Sequence, residues 1–384
     1  MEFSTYRIAD VFDRFSSGKN ITEEKISESG PYPVYGGNGL RGYTNTSNFN
    51  GECILIGRQG AKCGNVRYFN GEGYMTDHAI VGVCKPNHNT QFMNYALTSL
   101  NLNRLSGQAA QPGLSVGMLK KQKILLPSLE NQTKIAKIIF GYNNVIENNN
   151  KRIAILEQIA GNLYKEWFVR FRFPDYENTE FKDGIPVGWE YIKLGEILSF
   201  ERGISYSSEE IYCDEGLNLI NLKNIDSFGG FRRDGIKTYN GKYKESQVVK
   251  TGDLVIGVTD MTQDRRTVGA AALIPPIEGL SVISADLVKV VSDVPNIYLY
   301  SLCRYGFYSK YFSQFANGAN VLHLKPGALL NKKLLLPTKD VIDSFVEKAS
   351  AMIELIDELN LANDNLIKQR DLLLPRLMSG KLEV

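Results

Sequence analysis

The chain repeats itself, and the repeat constrains its fold more than any other feature. Leu125-Leu126-Pro127 returns as Leu335-Leu336-Pro337, and Thr76-Asp77-His78-Ala79-Ile80-Val81 resembles Ser284-Ala285-Asp286-Leu287-Val288-Lys289. Gly51-Glu52-Cys53-Ile54-Leu55-Ile56-Gly57 resembles Gly252-Asp253-Leu254-Val255-Ile256-Gly257, and Arg7-Ile8-Ala9-Asp10-Val11-Phe12 lines up with Lys193-Leu194-Gly195-Glu196-Ile197-Leu198. A period of roughly 200 residues means duplicated domains, not a solenoid. The separation between matched segments lengthens along the chain, so the second copy carries insertions in its first half. Insertions collect in surface loops, so the copies are expected to share a scaffold and differ in what their loops touch.

Each copy begins with short apolar runs between glycines, such as Cys53-Ile54-Leu55-Ile56 and Leu254-Val255-Ile256, which read as strands of a mixed domain. Gln91 to Leu100 and Ile297 to Phe315 read as shorter helices. After each Leu-Leu-Pro the pattern predicts a long helix without internal proline. In the first, Ile135, Ile139, Tyr142, Ile146, Asn149, Ile153, Leu156, Ala160 and Leu163 follow alternating steps of four and three residues. In the second, Phe345, Ala349, Met352, Ile356, Leu359, Asn363, Leu366, Arg370 and Leu373 do the same. Such a stripe is a coiled-coil seam; the alternative is two unrelated core helices. Asn149 and Asn363 each sit near mid-seam, either meeting one another to fix register or standing solvated at a splayed layer. Antiparallel helices place the second globular domain where the first helix stops, so no long bare crossover is needed.

The expected fold is therefore mixed α/β: two similar α+β domains separated by a long antiparallel two-helix coiled coil, a tandem repeat with pseudo-twofold symmetry. The boundaries read as 1–128, a helical spacer at 129–170, 171–337, and a second helical spacer at 338–384. At 384 residues and 43% hydrophobic, the chain has enough core for this plan. Its 44 basic and 42 acidic side chains, net +2, exclude a histone-like polycation and an acidic tail protein, but not a nucleic-acid binder. The five cysteines include no Cys-x-x-Cys pair, which points to a reducing compartment. No apolar run approaches membrane-spanning length and no leader is evident, so a cytoplasmic protein is expected, with no membrane partner.

In this order, the pieces resemble the specificity subunits of Type I restriction–modification systems, over essentially the whole chain. The resemblance rests on Leu125-Leu126-Pro127-Ser128-Leu129-Glu130-Asn131-Gln132, on Phe173-Pro174-Asp175-Tyr176 followed by Gly184-Ile185-Pro186-Val187-Gly188-Trp189, and on Leu372-Leu373-Leu374-Pro375-Arg376-Leu377-Met378-Ser379-Gly380. The first domain has no counterpart of Pro186-Val187-Gly188-Trp189, which suggests a trimmed or differently packed opening strand. The resemblance implies a non-catalytic reader of double-stranded DNA, whose two target recognition domains each read half of a bipartite, asymmetric site. The helices, a rod of about 50 Å, would set the spacer and dock two modification (methyltransferase) subunits, and restriction (endonuclease/translocase) subunits would join them. No cofactor is expected on this chain; S-adenosylmethionine, ATP and Mg²⁺ would sit on the partners. The helical segments together are slightly acidic, so the small basic excess lies elsewhere and the partners would supply the clamp on DNA.

Catalytic and metal signals are poor. There is no phosphate loop, no His-Glu-x-x-His and no Asn-Pro-Pro-aromatic run. Pro174-Asp175 with Glu180-Phe181-Lys182 spells a nuclease pattern, but in a polar linker with no strand to set its geometry. Cys53, Cys63, Cys84, His78 and His88 lack zinc-ligand spacing, so no metal site is expected.

Candidate DNA contacts fall in matched loops. Arg58, Gln59 and Lys62 follow the first Gly-Glu strand, and Thr259, Arg265 and Arg266 follow its counterpart. Gln108 and Gln111 precede the first Leu-Leu-Pro, as Asn320 and His323 precede the second, and Arg232 and Arg233 add charge to the second domain. Arg and Gln suit guanine and adenine edges, and Lys suits phosphates. The alternative for each is an ordinary solvated side chain. Two other functions compete: a self-contained methyltransferase or nuclease, and a coiled-coil scaffold with two protein-binding heads.

Overall fold

A run that is apolar at every position gives no alternation to tell one face from the other, as in a strand covered on both sides. The computed structural model, which describes residues 1–60, 62–106, 113–211 and 214–384, bears this physics out. It divides into two compact units, 1–149 with 362–384, and 150–361. The first unit contains β1 (Phe3–Arg7), β2 (Phe12–Ser17), β3 (Tyr32–Gly36), β4 (Gly39–Thr44), β5 (Phe49–Gly57), β6 (Val66–Met75), β7 (Ala79–Cys84) and β8 (Lys123–Pro127). Six of them form a sheet in the order β2-β7-β5-β6-β3-β4, antiparallel except where β3 meets β6. On β5, Ile54 and Ile56 face a core shared with Phe92, Met93, Ala96 and Leu97 of the helix Thr90–Ser99. Cys53 and Leu55 face the opposite core, with Phe69, Met75 and Val81. Each such aliphatic side chain contributes roughly 1.5–3 kcal/mol by leaving water.

The second unit reuses this order. Leu198–Arg202, Leu287–Ser292, Leu254–Gly257 and Ala271–Leu273 lie side by side and antiparallel, in the sequence that β2, β7, β5 and β6 follow. Leu254 and Ile256 face one core and Val255 another. A second sheet of Lys237–Tyr239, Leu217–Ile220, Ser281–Ile283 and Val248–Val249 lies beside it in sequence.

Both Leu-Leu-Pro segments are strands paired with the opening strand of their unit. β8 runs antiparallel to β1, with Thr5 opposite Leu125, and Lys333–Leu336 runs antiparallel to Glu190–Lys193, with Tyr191 opposite Leu335. The opening strand of the first unit is therefore complete without a counterpart of Trp189, which in the second unit is buried among Trp167, Phe173 and Ile192. The expected helix from Ile297 to Phe315 is two helices, Asn296–Arg304 and Tyr308–Ser313. Phe307 between them has φ +62°, a left-handed conformation that no α-helix contains.

The long helices span Leu129–Tyr164, continued by a π turn at Lys165–Val169, and Lys339–Met378. The second runs through Pro375 instead of stopping before it; the proline forgoes only the bond its own N–H would have made to the Asp371 carbonyl, and Ser379 N still donates to Pro375 O at 3.0 Å. In the first unit, Ile135, Ala136 and Ile139 share a core with Leu377, Tyr142 Oη donates to Gln369 Oε1, and Asn149 Nδ2 donates to Asn363 Oδ1 at 2.9 Å. These contacts run in opposite chain directions. In the second unit Tyr164 and Trp167 pack with Ile342, Phe345 and Ala349. Of the seam positions, Ile139, Asn149, Leu359 and Asn363 are buried, and Tyr142, Ile146, Ile153, Leu156, Met352, Ile356 and Leu366 are half-buried.

Candidate nucleic-acid interface

In each unit the Gly-terminated central strand delivers the chain into a loop, and a second loop is hydrogen-bonded against it. Gly57 and Gly257 make the turn possible: a Cβ on Gly57 would lie 2.5 Å from Lys62 O, and one on Gly257 2.3 Å from Thr267 O. Arg58 N donates to His78 O, and Leu114 N donates to Arg58 O. In the second unit Val258 N donates to Asp286 O, and Leu324 N donates to Val258 O. Gln59 bridges to Gly113, as Thr259 pairs with His323. The two units thus build the same paired-loop platform from unlike residues.

The side chains on the first platform divide by exposure. Arg58 is half-buried, with Nη1 3.4 Å from Ser17 Oγ, and its carbonyl also accepts from Cys63 Sγ. Gln59, Lys62 and His78 are exposed, and Gln59 Oε1 lies 3.0 Å from His78 Nδ1. Gln108 and Gln111 lie outside the described residues.

On the second platform Thr259 is buried and its Oγ1 donates to Asp286 Oδ1, so the hydroxyl is turned inward. Arg265 adopts φ +54° and holds Ser313 O through Nη1 at 2.9 Å. Arg266 pairs with Asp264 in the open, and Asn320 and His323 are exposed. A cavity of about 180 Å³ opens beside Phe228, Arg265, Arg266 and Lys310. Arg232 pairs with its neighbour Asp234, again exposed. Arg233 is elsewhere: its fork grips Asp357 on the second long helix, at 2.7 and 2.8 Å.

The residue that organises the second platform, Asp260, was not among the candidates. It is buried, and accepts hydrogen bonds from Thr262 N and Oγ1 at 2.8 Å and from Thr267 N at 2.7 Å. Burial raises its pKa, but these bonds outweigh burial and hold the carboxyl below its ordinary value. Gln263 Nε2 then reaches Ala319 O at 2.7 Å, joining this loop to the next. The signal available in sequence was Asp260-x-Thr262, an acceptor two residues ahead of a donor.

Among the described residues no cluster of three or more His, Cys, Asp or Glu is placed to hold a metal. Burial pushes the Cys53 and Cys84 thiols up to about 12, which leaves them protonated and inert. The nuclease-like string is not without a strand, as its polar linker suggested: Phe181–Lys182 pairs with Ile185–Pro186, while Asp175 accepts from Asn178 within its own turn. Among the described residues no helix is long and apolar enough to cross a membrane.

The sequence and the fold were compared with those of known proteins. Residues 1–158 match the family model for the Type I restriction modification DNA specificity domain. The chain is 47% identical over 123 residues to the Type I restriction enzyme EcoprrI specificity subunit of Escherichia coli, covering 32% of this chain and 30% of that one. It is 29% identical over 297 residues to the MjaIX specificity subunit of Methanocaldococcus jannaschii, covering 74% of this chain and 66% of the relative. Its matches thus span less than two thirds of either relative's length. The fold is similar to the crystal structure of a Type I restriction–modification S subunit from M. genitalium, with TM-score 0.71 at 16% identity, over 98% of this chain and 96% of the other.

Proposed function

Because the chain belongs to the Type I restriction–modification specificity-subunit family, we propose that it is the DNA-specificity subunit of such an enzyme and has no catalysis of its own. The target recognition domains, 1–128 and 171–337, each read one half of a bipartite, asymmetric DNA site. The helical regions 129–170 and 338–384 pair as an antiparallel coiled coil with pseudo-twofold symmetry and set the unread spacer. They dock two modification subunits, to which restriction subunits add. S-adenosylmethionine, ATP and Mg²⁺ belong to those partners, and the complex works in the cytoplasm.

The observation that carries this reading is the paired-loop platform at the end of the central strand in both units. A shared backbone with unlike side chains suits two readers of different sequences on a duplex with a local dyad. Among the described residues, exposed Gln59, Arg232, Arg266, Asn320 and His323 are available to meet base edges, and Lys62 to meet a phosphate. Ile138 and Val145 in the first unit, and Ile155 and Ile159 in the second, are exposed apolar side chains that partner helices could cover. The test is to express the chain with its modification subunits and sequence the methylated DNA. A single two-part motif is expected, with affinity falling steeply as salt rises. A complex that treats all duplexes alike would overturn the reading in favour of a protein-binding scaffold.

A further inference from the structure

Two ion pairs in the second unit join its globular part to both long helices. Arg304 ends the helix Asn296–Arg304 and reaches Glu157 on the first long helix through Nη2. Arg233 follows the 226–231 loop and grips Asp357 on the second with both ends of its fork. All four side chains are largely covered: 18% and 35% exposed in the first pair, 13% and 26% in the second. The two arginines are also tied to each other through the loop between them. Arg304 Nη1 donates to Gly229 O, Gly230 N donates to Ala271 O at 2.9 Å, and Arg232 N to Asn224 O at 2.8 Å. Gly229 has φ +119°, and a Cβ there would stand 3.0 Å from Ala271 O.

The buried core that Tyr164, Trp167, Phe345 and Ala349 share with the sheet holds the domain against the helices, and the two ion pairs, one to each helix, add directional contacts to it. Fork-to-carboxylate geometry adds direction, because a bidentate guanidinium holds its partner in plane in a way an ammonium does not. In the first unit a relay of neutral and charged groups reaches both long helices, in which Tyr95 Oη accepts from Asn143 Nδ2 and Asn143 Oδ1 accepts from Arg370 Nη1.

We propose that Arg304–Glu157 and Arg233–Asp357 are positioning contacts that set the angle at which the second domain presents its platform, and so the rotational phase at which the second half-site is accepted. This rests on the DNA-reading function proposed above. On B-DNA each base pair turns about 34°, so a domain free to swing by that much would accept neighbouring spacers. Arg233 then contributes to spacer choice and to no base.

The experiment uses the full chain in complex with its modification subunits, and reads every methylated motif in the host genome. With Arg233→Glu, discrimination between the parent spacer and spacers one base pair longer or shorter is expected to fall about tenfold, with both half-site sequences unchanged. Exchanging the charges, Arg233→Glu with Asp357→Arg, restores it. Where Arg233→Glu fails to assemble, Arg233→Lys keeps the charge, loses the fork and carries the same expectation. Two results overturn the inference: a spacer as strict as the parent's in an assembled variant, or an altered base in the second half-site. If the parent complex itself methylates no bipartite motif, the DNA-reading function fails instead.

Discussion

At the scale of single residues, Asp260 shows how much of a platform loop depends on a group that need touch no ligand. Its carboxylate accepts from Thr262 and Thr267, at either end of the segment that carries Arg265 and Arg266. Because its pKa is depressed in the fold, the stabilisation is present above the ordinary aspartate value of 3.8 and is lost as pH falls below it. Amide-exchange protection at Thr262 and Thr267 should thus be level from about pH 8 to about pH 5 and drop below about pH 4. Asp260→Ala should lower that protection by about 1–3 kcal/mol at neutral pH, with the rest of the sheet unaffected. Equal protection in parent and variant would remove Asp260 from this role. Sequence named these loops for their charged and amide side chains, and Gln59, Lys62, Arg266, Asn320 and His323 are exposed on them. It did not separate Arg266, which stays at the surface, from Arg233, whose partner Asp357 lies 124 residues away. A residue's type says what it is able to bind, and only the folded chain decides which partner reaches it first.

At the scale of elements, periodicity carried the helices and missed their punctuation. The seam positions are covered while Val145, Ile155 and Leu361 beside them are exposed, the separation a repeat of three and four produces. The break after Arg304 and the continuation through Pro375 were not legible, because both depend on what packs around the turn. The asparagine pair gives a test of what the seam is for. Asn149→Leu removes the donor to Asn363 Oδ1 and should cost about 1–3 kcal/mol, whereas replacing both by Leu should recover most of the loss or exceed it. Thermal unfolding of the parent, the two single variants and the double variant closes that cycle. Additive losses would show that the two amides do not depend on one another. The Leu-Leu-Pro motif also acquires a reason at this scale. It is a strand that leads into the helix, and in the first copy Gln132, five residues past the proline, ties the helix start to Asn89 N at 3.0 Å and Pro127 O at 2.9 Å.

For the whole molecule, the repeat read in sequence has a counterpart in the order of four strands in each unit, and the proposed ruler is a separate claim with its own test. If the paired helices set the spacer, their length must convert into base pairs. Removing 146–152 from the first helix and 360–366 from the second takes one heptad from each and preserves the alternation of the seam. At ~1.5 Å per residue the helices shorten by about 10 Å, and at ~3.4 Å per base pair this corresponds to about three base pairs. The methylated motif should then keep both half-sites and lose about three bases between them. The change of length also rotates one half-site against the other by about 100°, at ~10.5 base pairs per turn. A heptad is two turns of helix and brings the seam back almost to its starting face, so the protein contributes little compensating twist. The deletion complex should therefore bind more weakly as well, by the work of twisting the DNA. Loss of affinity with an unshortened spacer would mean that the helices hold the domains but do not measure the site.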